Sequence, residues 1–393
     1  MEKRIKELAS QYFSEIQDIR RHLHQNPELS FVEYETSKYL KARLQDWGIK
    51  IDQDWVSTGF TVVVDSGRPG KTVAIRADLD ALPILEKAEV EYKSKVDGKM
   101  HACGHDVHSA CLVGVAKILT ETKEFWKGKA VLIFQPGEEK LPGGASLMIE
   151  EGLLDKYQPD LILAQHVYPE FEVGKVGFKS GMYMASADEI YLTVKGVGGH
   201  GALPHRNIDP IVIAASIIID LQTVASRVAP PTLPTVLSFG KIIGEGATNV
   251  IPSEVKLEGT LRTFNEEWRE VFHKKITQIC MAIAEGHGGS CEVDIRKGYP
   301  FLVNDDLITQ SSIHFAQNYL GQDKVELLDL RMTAEDFSYF SQRVPSCFYR
   351  LGVGNKSKKI NKSVHHPEFE VDETALETGV GLMAYIAIQQ LNA

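Results

Sequence analysis

The chain has 393 residues, enough to bury a large core and to hold two domains. Hydrophobic residues make up 43% and charged residues 24% of it, the balance of an ordinary soluble protein. A net charge of −10 argues against nucleic acid or anionic lipid as a general partner, but not against a small anionic substrate held by a local arginine.

The first residues, Met1-Glu-Lys-Arg-Ile-Lys-Glu-Leu8, carry charges where a secretory leader would carry an apolar run. Ile5–His24 and Glu33–Trp47 read as helices, the first ending before Asn26-Pro27. Gly59–Val64 and Thr72–Arg76 read as strands, His108–Thr120 as a helix, Ala130–Gln135 as a strand, Gly144–Glu151 as a helix and Leu161–Gln165 as a strand. Strands alternating with helices predict an α/β layer with a mainly parallel, mixed sheet. The pattern then changes. Glu189–Lys195, Pro210–Val228, Thr235–Ile243, Glu254–Thr263, Glu266–Glu285 and Ser290–Arg296 follow the order β-α-β-β-α-β, that of a ferredoxin-like α+β unit. The predicted organisation is therefore an outer domain, 1–186 and 299–393, interrupted by an inserted domain, 187–298. In the returning segment Thr333–Phe340 is predicted helical, Phe348–Leu351 a strand and Glu373–Leu391 a closing helix. The apolar stretch Ile211–Leu221 is too short to span a bilayer and reads as a buried helix. Five cysteines (103, 111, 280, 291 and 347) make no disulfide framework, so reduced thiols and a cytoplasmic location are expected.

One stretch concentrates chemistry. His101-Ala-Cys-Gly-His-Asp-Val-His108 puts a thiol, three imidazoles and a carboxylate within eight residues. Thiolate and imidazole suit zinc and similar metals, so Cys103 and His105 are candidate ligands. A buried cysteine beside a hydrogen-bonded histidine is the plain alternative; Cys103 as a nucleophile is another, and would need a histidine base and an oxyanion hole. Phe134-Gln-Pro-Gly-Glu-Glu139 follows a strand, and its adjacent carboxylates, Glu138 and Glu139, offer one ligand and one base. A solvated turn would leave both idle. His166 closes the run Leu161-Ile-Leu-Ala-Gln-His166, a position open to a ligand or to a structural histidine. Of the pair His365-His366 before Pro367, either could supply a last donor. His200, in Gly198-Gly-His-Gly-Ala-Leu-Pro-His205, lies in a glycine-rich loop that allows close approach to a ligand or serves as a flexible lid. Asn249 and Arg262 belong to the same inserted domain, and arginine suits bidentate capture of a carboxylate.

Taken in order, these motifs resemble the dinuclear-metal amidohydrolases related to aminoacylase, hippurate hydrolase, N-acetyl-diaminopimelate deacetylase and the plant auxin-conjugate hydrolases. The resemblance spans nearly the whole chain. It begins with Arg20-Arg-His-Leu-His-Gln-Asn-Pro-Glu-Leu29 and Arg76-Ala-Asp-Leu-Asp-Ala-Leu-Pro83. It continues through Met100–Asp106, Phe134–Glu139, Gly198–His200 and Asn249–Pro252, and ends with Glu335-Asp-Phe337 and His365-His-Pro367.

The resemblance implies a zinc-peptidase-like catalytic domain with an inserted lid or dimerisation domain. It implies Cys103, His105, Glu139, His166 and His365 as ligands of two divalent ions per subunit, zinc or manganese, with cobalt or nickel also compatible. His365 is preferred because the family ligand stands two residues before the proline. Arg76 stands where more distant relatives carry a histidine ligand, Cys103 looks like the compensating donor, and Asp78 would orient a ligand from outside. Glu138 would be the general base, acting on a metal-bound hydroxide. His200 would stabilise the oxyanion in a partner subunit, and Asn249 and Arg262 would hold the substrate carboxylate. The expected activity is cleavage of an N-acyl-amino acid to a carboxylic acid and a free amino acid. The expected partners are that small substrate and a second copy in a homodimer or larger homo-oligomer, with no nucleic acid and no membrane. A di- or aminopeptidase, a Cys103-dependent thiol hydrolase and a silent binding protein are the alternatives. Lys140-Leu-Pro-Gly-Gly144 departs from relatives that carry glycine after the glutamate pair, which leaves the acyl-group preference open.

Overall fold

In the strand Lys129–Gln135 every residue after Lys129 is buried, as an apolar run covered on both faces requires. The computed structural model describes residues 1–393 and divides them into two compact units. The first comprises Met1–Tyr183, Val303–Leu330 and Asp336–Ala393, and the second Met184–Leu302 with Arg331–Glu335.

The first unit is built on an eight-stranded mixed sheet. Its order is Ile51–Trp55, Gly59–Asp65, Lys129–Gln135, Thr72–Asp78, Leu161–Glu172, Ser346–Gly354, Val176–Phe178 and Val325–Leu327. The four central strands, from Lys129–Gln135 to Ser346–Gly354, run parallel, while the strands flanking them pair antiparallel to the block. Glu2–Gln25, His105–Glu121 and Ala375–Asn392 pack against one another and share one apolar core with the sheet. Ile5, Leu8, Ile16, Ile19 and Leu23 of the first helix repeat at helical spacing and are buried. The parallel block matters most for function, because its strands end along one edge and deliver their following loops there.

The second unit is a four-stranded antiparallel sheet, ordered Thr235–Ile243, Glu254–Thr263, Asp188–Lys195 and Ser290–Lys297, with helices Pro210–Thr223 and Glu266–Gly286. Asp188–Lys195 alternates buried and half-exposed residues, the period of a sheet with one covered face. Asp209 caps the first helix, accepting from the Ile211 and Val212 N–H groups, and Asn265 caps the second through Trp268 N–H.

Four sequence expectations are corrected. The helix expected to start at His108 starts at His105. The strand expected to stop at Gln165 runs on to Glu172, so His166 lies within it rather than after it. Of Thr333–Phe340 only Ser338–Ser341 joins a helix; the carbonyls of Arg331 and Thr333 instead accept from Ala185 N–H, which holds this segment extended. The helix Pro210–Thr223, continued by a wider turn to Val228, is not buried all round. Ile213, Ala214, Ile217 and Leu221 enter the core of the second unit, while Ile211, Val212 and Ile219 are exposed. Its 19 residues are long and apolar enough to cross a membrane, yet one face is a packed layer of the unit.

Candidate metal centre

The site gathers where the parallel strands end. Thr72–Asp78 leads into Asp80, and Lys129–Gln135 leads into the Pro136–Glu139 turn. His166 lies two residues beyond Ala164, the last residue of its strand to pair with Thr72–Asp78. Cys103 and His105 flank Gly104, which starts the helix in the left-handed region at φ 81°. A Cβ at Gly104 would stand 2.5 Å from Val167 Cγ2, so only glycine lets the loop close onto the His166 strand. His365 also takes a positive φ, 65°, and its N–H donates to Ala102 O at 2.8 Å, which draws the distant loop to Cys103.

Cys103 Sγ and His166 Nε2 are 3.4 Å apart, and His365 Nε2 and Glu139 Oε1 are 3.1 Å apart. His105 Nε2 lies 4.0 Å from Glu138 Oε2 and from Glu139 Oε1. Cys103, His105 and His166 present donor atoms within 4.8 Å of one another, and so do Cys103, Glu139 and His365. His366 Nδ1 accepts from Glu368 N–H, whereas His365 reaches the cluster.

Neighbours set the direction of each imidazole. His166 Nδ1 faces Val167 O at 2.8 Å and so carries its proton there, leaving Nε2 toward Cys103. His105 Nδ1 faces Asp80 Oδ1 at 3.3 Å. Both ring nitrogens of His108 are already engaged in hydrogen bonds. Its Nδ1 meets Asp78 Oδ1 at 2.6 Å and its Nε2 accepts from Val167 N–H at 2.9 Å. Asp78 ties His108 and Arg76 and lies 3.7 Å from His105 Nε2, while Asp80 meets Nδ1 of His105.

The cluster is anionic. Burial opposes charge on His105, but Asp78, Asp80 and Glu139 outweigh it and push the imidazole up to about 10. Burial, reinforced by Glu139, Glu138 and Asp78, pushes the Cys103 thiol well above its usual range. Burial, with Arg350 next, pushes His166 well down, to the neutral form that ligates. His105 Nε2 and Glu139 Oε1 are buried and make no hydrogen bond. Soft and borderline donors around an excess of carboxylate, with His105 Nε2 left unsatisfied, fit divalent cations.

The remaining predicted residues lie in the second unit. His200 pairs with Val250 in a short ladder, and Gly201 N–H donates to Asn249 O, which brings His200 and Asn249 together. Both are exposed. Arg262 is half-buried on another sheet, in the strand Glu254–Thr263. Sequence reasoning overlooked Asp80, which accepts from the Glu138 and Glu139 N–H groups, and Glu33, which accepts from Gly137 N–H. The alternation Asp78-Leu-Asp80 at a strand end was the available signal for the first; a lone glutamate before a helix gave none for the second.

Residues 74–389 match the model of the peptidase family M20/M25/M40. The chain belongs to that family. It is 39% identical over 360 residues to an N-acetyl-L-cysteine deacetylase of Bacillus subtilis, covering 91% of this chain and 84% of that one. It is 38% identical over 384 residues to the IAA-amino acid hydrolase ILR1-like 4 of Arabidopsis thaliana, covering 97% and 86%. The crystal structure of a dinuclear metal-binding M20 peptidase from Bacillus subtilis superposes with a TM-score of 0.83 at 32% identity, covering 97% and 99%. As a member of this M20 family the chain is a metal-dependent hydrolase of amide bonds.

Proposed function

We propose that this M20 hydrolase cleaves N-acyl-amino acids at a two-metal centre held by Cys103, His105, Glu139, His166 and His365. The observation that carries this reading is the pair of donor trios sharing Cys103. The chemistry supplied there, with two divalent ions of zinc or manganese bound, is Lewis acidity toward water and the scissile carbonyl. Glu138 is the proposed base. The residue is 6% exposed, its Oε2 lies 4.0 Å from His105 Nε2, and its Oε1 accepts from Asp336 N–H at 3.4 Å. It takes a proton from the attacking water and returns it to the leaving nitrogen. His200 as oxyanion donor from a second subunit, and Asn249 and Arg262 as carboxylate contacts, rest on the family resemblance, as do a homo-oligomer and a cytoplasmic location.

The raised thiol of Cys103 argues for a ligand over a nucleophile, since burial, reinforced by the surrounding carboxylates, holds it protonated unless a cation replaces the proton. The N-acyl class is supported by the names of the Bacillus and Arabidopsis relatives. The test is hydrolysis of N-acetyl, N-benzoyl and indole-acetyl amino acids and of dipeptides by metal-stripped protein, before and after zinc, manganese or cobalt. Metal-restored release of a free amino acid from an acyl class is expected. Activity confined to dipeptides would make it a peptidase, and metal-independent turnover would sink the reading.

A further inference from the structure

We propose that Cys280 and Cys291 form a redox-sensitive pair in the second unit, which a hydroperoxide closes to a disulfide through attack by Cys291. Cys280 lies on the helix Glu266–Gly286, in the buried stripe Phe272, Ile276, Cys280 and Ala284. Cys291 lies in the strand Ser290–Lys297, on the face it shares with Val293 and Ile295, and these three pack against the same core. A tight turn joins the two elements. His287 N–H donates to Ile283 O, Gly288 N–H to Glu285 O and Gly289 N–H to Ala284 O, with Gly288 at φ 79°. The strand therefore turns back along the last turns of the helix, and the two thiols are hydrogen-bonded to each other.

The pair is asymmetric. Cys280 is fully buried, whereas Cys291 is the one cysteine of the five that is not buried. Cys280 S–H donates to Cys291 Sγ, and Cys291 Sγ donates in turn to Glu292 O at 3.6 Å. The bond received from Cys280 outweighs burial and lowers the Cys291 thiol, while the same bond, with burial next, pushes Cys280 up. Burial pushes the remote Cys347 thiol up to about 12 and raises Cys111 too. Cys291 is thus the partner that ionises and meets solvent, and Cys280 is the thiol held beside it. A reachable thiolate next to a second thiol is the arrangement in which a sulfenic acid forms and is resolved.

Attack by the Cys291 thiolate on a peroxide oxygen forms an S–O bond and breaks the O–O bond. The departing oxygen takes up the proton that the thiol released and leaves as water or an alcohol. The Cys280 sulfur then attacks the sulfenic sulfur of Cys291. The S–S bond forms, the S–O bond breaks, and the Cys280 proton goes to the leaving hydroxide, which departs as water. The two thiols lose two electrons and the peroxide gains them. None of the five proposed metal donors takes part, so the pair stands apart from the hydrolytic reading.

The experiment treats the full chain with a small excess of hydrogen peroxide, blocks free thiols with iodoacetamide after unfolding, and digests without reductant using a protease that cuts after glutamate. Glu285 lies between the two cysteines, so an intact link keeps two cleaved peptides together. The expected product is that linked pair, separated by dithiothreitol, with Cys111 and Cys347 alkylated. Cys280→Ser should leave a sulfenic acid on Cys291 that dimedone traps, and Cys291→Ser should give neither link nor adduct on Cys280. Free thiols at both positions after peroxide would overturn the proposal. So would a link found only between two chains, or a dimedone adduct on Cys280 in Cys291→Ser. Should the serine variants fail to fold, brief iodoacetamide labelling of the native wild type decides. Cys291 alkylated ahead of Cys280, Cys111 and Cys347 supports the proposal, and a Cys291 that reacts only after unfolding overturns it.

Discussion

Arg76 Nη2 donates to Asp336 Oδ1 across 2.8 Å, joining residues 260 positions apart. Its Nη1 meets Asp78 Oδ2 at 2.7 Å and its Nε meets Gln135 Oε1 at 2.8 Å. Asp336 also accepts from Gln135 Nε2 and, at 3.0 Å, from Ala145 N–H. One buried guanidinium therefore ties the ends of two parallel strands to Asp336, the start of the last segment of the first unit.

Replacing Arg76 by Met should destabilise the protein by about 3–5 kcal/mol, because Asp78 and Asp336 would keep buried charges without their cation. Urea unfolding of the two proteins measures this. A loss below about 1 kcal/mol would mean that the carboxylates find other partners.

Glu138→Ala should retain both metal ions and lose about 10²–10⁴-fold in kcat. Metal content and turnover are measured on the same sample. Full activity with full metal would remove Glu138 from the proton-transfer role.

The two neighbouring histidines should separate cleanly. His365→Ala is expected to lower metal content by about one ion per chain, since its ring is the donor beside Glu139. His366→Ala should leave the content unchanged, because that ring is occupied with Glu368 N–H. Elemental analysis after gel filtration reads both, and the reverse pattern would reassign the ligand.

Gly137 has φ 58°, and a Cβ there would lie 2.4 Å from the Phe31 ring. Gly137→Ala should cost about 1–3 kcal/mol by overpacking and displace the Glu138–Glu139 turn. Adding Phe31→Ala should restore part of the kcat loss. No recovery in the double variant would place the damage in the backbone angle rather than the ring.

Acid should expose a separate element. Burial alone would raise the Asp188 carboxyl, but hydrogen bonds from Arg269 and His273 outweigh it and hold the group at about 2. The folded value lies below the unfolded one, so this stabilisation is present at neutral pH and is lost as pH falls from about 4 to about 2. It is on the order of 2 kcal/mol. The stability gap between wild type and Asp188→Asn, followed by urea midpoints at pH 7, 4 and 2.5, should shrink across that window. A gap constant with pH would show that the charge is not what matters.

What the sequence disclosed depended on how local each cause was. Val131-Leu-Ile-Phe134 announced its strand because both faces are covered, and the order of elements from Asp188 to Lys297 followed from simple alternation. Ile51–Trp55 escaped notice because an edge strand rich in aspartate and glutamine carries little apolar signal. The early start of the helix at His105 was hidden because its cap is a left-handed glycine with no capping side chain. Pro169 disguised the length of Leu161–Glu172. In the site, Cys103 and His105 are separated by one residue and Glu138 and Glu139 are adjacent, so each pair stands out as a candidate within its own segment. The convergence of Asp80 on two of those segments is a matter of strand ends meeting, which no spacing along one segment encodes.

The five proposed donors are spread from residue 103 to residue 365. A nascent chain that has not yet released residue 365 from the ribosome holds at most four of them, with no clamp from the far loop. The proposed donor set is thus complete only once synthesis has passed residue 365. Only a chain synthesised past the His365 loop would hold its ions with the full proposed set, so a truncated chain would bind them more weakly.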